Sequence, residues 1–263
     1  VNVIVPALAA GNTVLLKHSA KTPLCGHAFE EAFGELELPS LVTNLVLTHD
    51  ATAEVIADPR INHLSFTGSV EGGQAVYRQA AERFIDAGLE LGGKAPAYIA
   101  RDADLDFAIA NTVDGACYNA GQSCCAVERV YVHESLLDDY LAGAREALEA
   151  YRPGDPLDEE TTIGPLASRS ALGFLEGQVR DAVSRGAELL TGGSRTPDCP
   201  GNFFQPTLLA GVPNEAAAMQ EESFGPILPV LAVSGDEEAL AHMRDTRFGL
   251  TASIWTVRSD SKT

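Results

Sequence analysis

In the stretch Phe66-Thr67-Gly68-Ser69-Val70 a strand pattern over 61–66 meets two small residues, and a helical pattern over 70–82 follows at once. Strand, tight turn and helix in that order make half of a βαβ unit. The rhythm extends upstream. Residues 13–16 read as a strand, and Thr22 and Pro23 supply an N-cap and a first-turn proline for a helix through 33. A second apolar run covers 41–47 and a short helix is expected near 53–57. This alternation predicts an α/β fold built on a parallel sheet with covered faces.

Downstream of Gly92-Gly93 the pattern predicts helices over 105–117, 136–149 and 168–185. The last carries Leu172, Leu175, Val179 and Val183 on one face and Gly186 as its C-cap. Strands are expected over 127–133, 204–209, 227–233 and 250–255, with loops over 152–160 and 192–201, which are rich in Pro, Gly and Asp. Two α/β domains result, 1–91 and 92–263.

Composition narrows the function. The chain of 263 residues carries 37 acidic against 18 basic side chains, a net charge of −19 that argues against nucleic acid or an anionic membrane as partner. No apolar run approaches the ~20 residues needed to span a bilayer, and Val1 does not begin a signal peptide. Five cysteines, two of them adjacent, do not form a disulfide framework, so a reducing cytoplasm is expected. No HExxH, CxxC or clustered His pattern calls for a metal.

The chemistry is concentrated in Tyr118-Asn119-Ala120-Gly121-Gln122-Ser123-Cys124-Cys125-Ala126, a polar turn between a helical and a strand pattern. A core-filling thiol would sit inside one of those elements, whereas a thiol in a small-residue turn is open to a substrate and has backbone N–H groups beside it. Upstream, Leu89-Glu90-Leu91-Gly92-Gly93-Lys94 places a carboxylate at the end of an apolar run. Thiol nucleophile and carboxylate base are a workable pair for covalent catalysis. Cys25 and Cys117 fall within helical patterns and Cys199 in a loop, and all three read as inert.

These two segments resemble signature motifs of the aldehyde dehydrogenase superfamily. The resemblance also runs through the stretch from Pro6 to Lys17 (Pro6-Ala7-Leu8-Ala9-Ala10-Gly11-Asn12-Thr13-Val14-Leu15-Leu16-Lys17), Phe66-Thr67-Gly68-Ser69, Gly164-Pro165-Leu166, Glu221-Glu222-Ser223-Phe224-Gly225-Pro226 and Phe248-Gly249-Leu250-Thr251-Ala252. Seven motifs in the family's order are hard to obtain by chance. The resemblance implies a Rossmann-like domain over 1–91 and a catalytic domain over 92–263, both incomplete. It also implies a chain cut at both ends, lacking an upstream oxyanion asparagine and downstream pocket and oligomer segments. The reaction implied is oxidation of an aldehyde to a carboxylic acid with NAD or NADP. Cys124, two residues after Gln122, is implied as nucleophile in preference to Cys125, and Glu90 as the base that hydrolyses the thioester. Lys17, Ala20, Gly68, Ser69, Gly72, Leu91, Glu222 and Phe224 fall at cofactor-binding positions. A homodimer or homotetramer is implied for the intact enzyme.

Read alone, several of these residues keep plainer meanings. Gly68-Ser69 is also an ordinary βα turn, Lys17 a solvated lysine, and Glu222 a surface carboxylate. The chain departs from the family at three places. His18 replaces a proline, and Ala20 replaces the glutamate that takes the adenosine ribose, so discrimination against NADP is expected to weaken, with Lys21 near the 2′-phosphate. Gly72 replaces an aliphatic residue that packs on adenine. Two rival classes stay open: a cofactor-free cysteine hydrolase of esters or thioesters, and a non-catalytic truncated relative.

Overall fold

The computed structural model describes residues 2–36, 40–197 and 199–258. The chain divides into two compact units, Val1–Leu91 and Gly92–Thr263.

Unit 1 contains α1 (Ile4–Ala9), β1 (Val14–Leu16), α2 (Pro23–Gly34), β2 (Val42–Asn44), α3 (His49–Ala57), β3 (His63–Thr67), α4 (Val70–Glu82) and β4 (Asp86–Glu90). Its strands form two parallel pairs, β1 with β2 and β3 with β4. The single sheet expected from the rhythm is therefore present as two ladders among the described residues. In β3 and β4 exposed and half-buried positions alternate along the whole strand, so each turns one face to solvent. Helix α3 is longer than expected because Thr48 accepts the Ala51 N–H and starts it at His49. Thr22 does not cap α2. Its hydroxyl is 3.2 Å from His18 Nδ1, and the start of the helix is set by Pro23 at the first turn.

Unit 2 contains β5 (Ala95–Ile99), α5 (Leu105–Cys117), β6 (Val127–His133), α6 (Leu137–Glu149), α7 (Arg169–Ser184), β7 (Glu188–Thr191), β8 (Thr207–Ala210), α8 (Ala217–Gln220), β9 (Ile227–Val233), α9 (Asp236–Arg244) and β10 (Ser253–Trp255). The strands make one six-stranded sheet in the order β10-β5-β6-β9-β8-β7, parallel except at the β7–β8 pair. Strand β5 is buried at all five positions although it begins Ala-Pro-Ala. The β5–β6 register shifts at Ala95/Pro96, where proline has no N–H to give the ladder. Helix α7 ends as expected: Gly186 adopts φ 101°, its N–H bonds to Val183, and the Ala187 N–H reaches back to Ala182, closing the last turn. Of its apolar stripe, Leu172, Leu175 and Val179 join Tyr98, Val130, Tyr131, Tyr140, Leu208 and Ile227 in one continuous core, whereas Val183, in the last turn, is 45% exposed.

Candidate active site

In unit 1 the candidate residues lie at the carboxyl ends of parallel strands, where ligands of open α/β sheets bind. Lys17 follows β1 and is half-buried, while Ala20 and Lys21 are exposed in the turn before α2. Gly68 and Ser69 join β3 to α4. Glu90 ends β4 directly opposite Thr67, and its carbonyl accepts the Gly68 N–H at 3.0 Å. The Glu90 side chain is exposed. Ser69 caps the thirteen-residue helix α4 by accepting the Gly72 N–H at 3.1 Å. The remaining first-turn N–H groups and the helix dipole suit a phosphate, although Glu71 in the same turn opposes it. Gly72 is not a simple vacancy. A Cβ there would come within 2.7 Å of the Phe66 ring, which already occupies the space beside the turn. Leu91 packs its side chain on Gly73 of α4.

In unit 2 several motifs far apart in sequence converge on Cys124. Helix α5 ends at Cys117, and Asn119, Ala120 and Gly121 then take positive φ of 52°, 55° and 72°. At Gly121 this conformation and close packing coincide, since a Cβ would lie 2.3 Å from the Gly225 carbonyl carbon. Gln122 locks the turn. Its amide nitrogen donates to the Asn119 carbonyl at 3.1 Å and to the Pro165 carbonyl at 3.3 Å, while its oxygen accepts the Ala167 N–H at 2.8 Å. Gly93 packs under Cys124: a Cβ there would be 2.5 Å from the Cys124 carbonyl oxygen and 3.5 Å from Leu250. The turns containing Gly93, Gln122, Pro165, Gly225 and Leu250 thus meet at the turn that carries Cys124.

Cys124 and Cys125 are both exposed, as is Cys25, whereas Cys117 is buried and Cys199 partly so. Burial, then the adjacent Cys125, raise the Cys124 thiol above its ordinary value, against a hydrogen bond from its own backbone N–H. Cys117 is pushed up to about 12 by burial and is inert at neutral pH. Cys25 lies in α2, as its helical pattern predicts, and faces solvent.

Glu222 is half-buried and accepts the Gly93 N–H at 3.1 Å through Oε1, and Oε2 has no partner among the described residues. Desolvation raises its carboxyl above the usual range. Gly92 makes this approach possible, because a Cβ there would overlap the Glu222 carboxylate at 2.3 Å. An open carboxylate oxygen held this way fits a ribose hydroxyl. Phe224 is 43% exposed and adopts φ 49°.

Beneath this loop lies a buried polar cluster that sequence reasoning did not identify. Glu128 of β6 accepts Lys94 Nζ at 2.8 Å and the Ser223 N–H at 2.7 Å on Oε2, and the Phe224 N–H at 2.9 Å on Oε1. Lys94 also donates to the Ser223 hydroxyl at 2.9 Å. Burial pulls the Lys94 ammonium below its ordinary value and Glu128 opposes that pull. Beside it, Arg129 donates to the carbonyls of Lys94, His242 and Met243, tying β6 to the end of α9. Among the described residues no cluster of three or more His, Cys, Asp or Glu could hold a metal ion, and no helix is long and apolar enough to cross a membrane.

A two-unit α/β chain with an exposed thiol in a locked turn defines the class, and the comparisons give the family. The model of the aldehyde dehydrogenase family matches residues 1–262, so the chain belongs to that family. It is 40% identical over 254 residues to the lactaldehyde dehydrogenase of Escherichia coli K12, covering 95% of this chain and 53% of that protein. Against the E. coli K12 succinate-semialdehyde dehydrogenase [NADP(+)] the identity is 38%, covering 95% and 52%. The structure of a Mycobacterium tuberculosis aldehyde dehydrogenase complexed with NAD+ superposes with a TM-score of 0.94 at 37% identity, covering 98% of this chain and 54% of that one. The chain therefore spans about half the length of the relatives it matches.

Proposed function

We propose that the whole protein oxidises a small aldehyde to a carboxylic acid with hydride transfer to NAD or NADP. The observation that carries this reading is the locked turn that presents Cys124, built from segments of unit 2 distant in sequence. Cys124 acts as thiolate and adds to the aldehyde carbon, and its own N–H donates to the oxyanion that forms. The nicotinamide, when bound, accepts the hydride. The acyl group is then left as a thioester on Cys124. Glu90 takes a proton from water, the hydroxide adds to the thioester carbonyl, and the acid leaves as the thiolate is restored. The open oxygen of Glu222 takes a ribose hydroxyl, Phe224 flanks it, and Gly68-Ser69 at the start of α4 takes the phosphates. A cofactor-free hydrolase would use the same Cys124 and Glu90 but leaves the Glu222 oxygen without a task.

Cofactor use extends to NADP. Ala20 presents no carboxylate against a 2′-phosphate and Lys21 is exposed beside it. The succinate-semialdehyde relative carries NADP(+) in its name, and the M. tuberculosis enzyme is complexed with NAD+. The whole protein forms a homodimer or homotetramer in the cytoplasm, a reading supported by family membership and by five thiols without a disulfide. Small aliphatic and aromatic aldehydes, offered to the full-length protein with NAD or NADP, should yield reduced nicotinamide, and Cys124→Ala should abolish it. Turnover that survives the substitution contradicts the assignment. A kcat/KM ratio strongly favouring NAD removes the NADP reading alone.

A further inference from the structure

We infer that the buried pair Lys94–Glu128 is a positioning device that sets the cofactor contacts of Glu222 and Phe224, an inference that rests on the function proposed above. Both side chains are almost fully buried, 0% and 3% exposed. Such a pair is a weak source of stability, because desolvation offsets most of the attraction and apolar residues of similar size often do as well. What it supplies here is geometry. The two oxygens of Glu128 take the N–H groups of Ser223 and Phe224, consecutive residues directly after Glu222. Lys94 holds the carboxylate from the other side and adds the Ser223 hydroxyl.

The loop needs this clamp for two reasons. Phe224 holds a left-handed backbone that a non-glycine residue adopts only when its surroundings impose it. The residue is 43% exposed, so core packing does not impose it. The hydrogen bonds to Glu128 do. The clamp also closes on the residues that hold Glu222: Gly93, whose N–H binds the Glu222 carboxylate, directly precedes Lys94. One buried charge pair therefore fixes both ends of the short path from the Gly92-Gly93 turn to the Glu222–Phe224 loop. Neither Lys94 nor Glu128 touches the reacting atoms, so their effect reaches the reaction only through cofactor placement.

The test uses the full-length protein with Glu128→Gln, which removes the charge at constant size, and Glu128→Asp, which keeps the charge but shortens the reach. Dissociation constants for NADH and NADPH are read from nicotinamide fluorescence, beside KM and kcat for cofactor and aldehyde and the alkylation rate of Cys124. The inference predicts cofactor binding weakened at least about tenfold, the scale of a lost charge-assisted hydrogen bond, with Cys124 alkylation and the KM for aldehyde unchanged. Glu128→Asp serves if the glutamine variant fails to fold, and it should lose affinity in the same direction. Cofactor affinity equal to wild type in the folded aspartate variant overturns the inference and leaves the proposed function standing. Absence of cofactor binding by the wild-type protein overturns both.

Discussion

The two units build their candidate residues by opposite means. In unit 1, Lys17, Gly68, Ser69 and Glu90 are placed by local structure, each at a strand end or a helix start, on strands that are half exposed. In unit 2, β5 is buried at every position and β6 at its five central ones, and the thiol turn is held by hydrogen bonds between Gln122 and residues Pro165 and Ala167, 43 and 45 positions away. A site assembled from distant segments needs a rigid core to bring them together, whereas a strand end followed by a capped helix needs only its neighbours. The difference teaches where each unit is sensitive: unit 2 through its core, unit 1 through its turns.

The largest expected contrast is therefore in packing. Leu208→Ala, in the core of unit 2, should cost about 2–5 kcal/mol, while Leu15→Ala in unit 1, at 52% exposure, should cost less than about 0.5 kcal/mol, both read from chemical denaturation of the whole protein. Equal costs would break the comparison. A smaller effect is expected at Ser69. Ser69→Ala removes the cap of α4 and should raise amide exchange in its first turns by the equivalent of about 1 kcal/mol, leaving exchange in β5 and β6 unchanged. Exchange in α4 that does not change would mean that the cap carries no weight.

The smallest effect sharpens the description of the thiol turn. The thiolate is the reacting species, and Cys125 is one of the groups that raise the Cys124 thiol. Removing it should lower that value and increase the thiolate fraction at neutral pH. Cys125→Ala should thus shift the pH profile of Cys124 alkylation toward lower pH. A shift toward higher pH would show that Cys125 stabilises the thiolate instead.

What could be read in the chain follows the same division. Helices over 105–117 and 70–82 and strands over 127–133 and 227–233 were legible because their periodicity is strong and their ends carry local signals such as Ser69. Strand β5 was not, since Ala-Pro-Ala resembles a loop and becomes a strand only through its neighbours in the sheet. Strand β7 pairs antiparallel at the edge of the sheet, and α9 opens on three acidic residues with little apolar pattern. The thiol turn and Glu90 were visible as motifs. The Lys94–Glu128–Ser223 cluster was not, because its members lie 34 and 129 positions apart and each alone is an ordinary polar residue. The capping role expected of Thr22 failed for a local reason: His18, four residues earlier, takes its hydroxyl.

The central claim is that Cys124 carries the acyl group and Glu90 hydrolyses it. In the full-length protein, Glu90→Gln given an aldehyde and cofactor should produce a burst of about one reduced nicotinamide per subunit, then near silence. Mass spectrometry of the quenched protein should find the acyl group on the peptide bearing Cys124. An adduct confined to Cys125, or steady turnover at the wild-type rate without any adduct, would contradict the account.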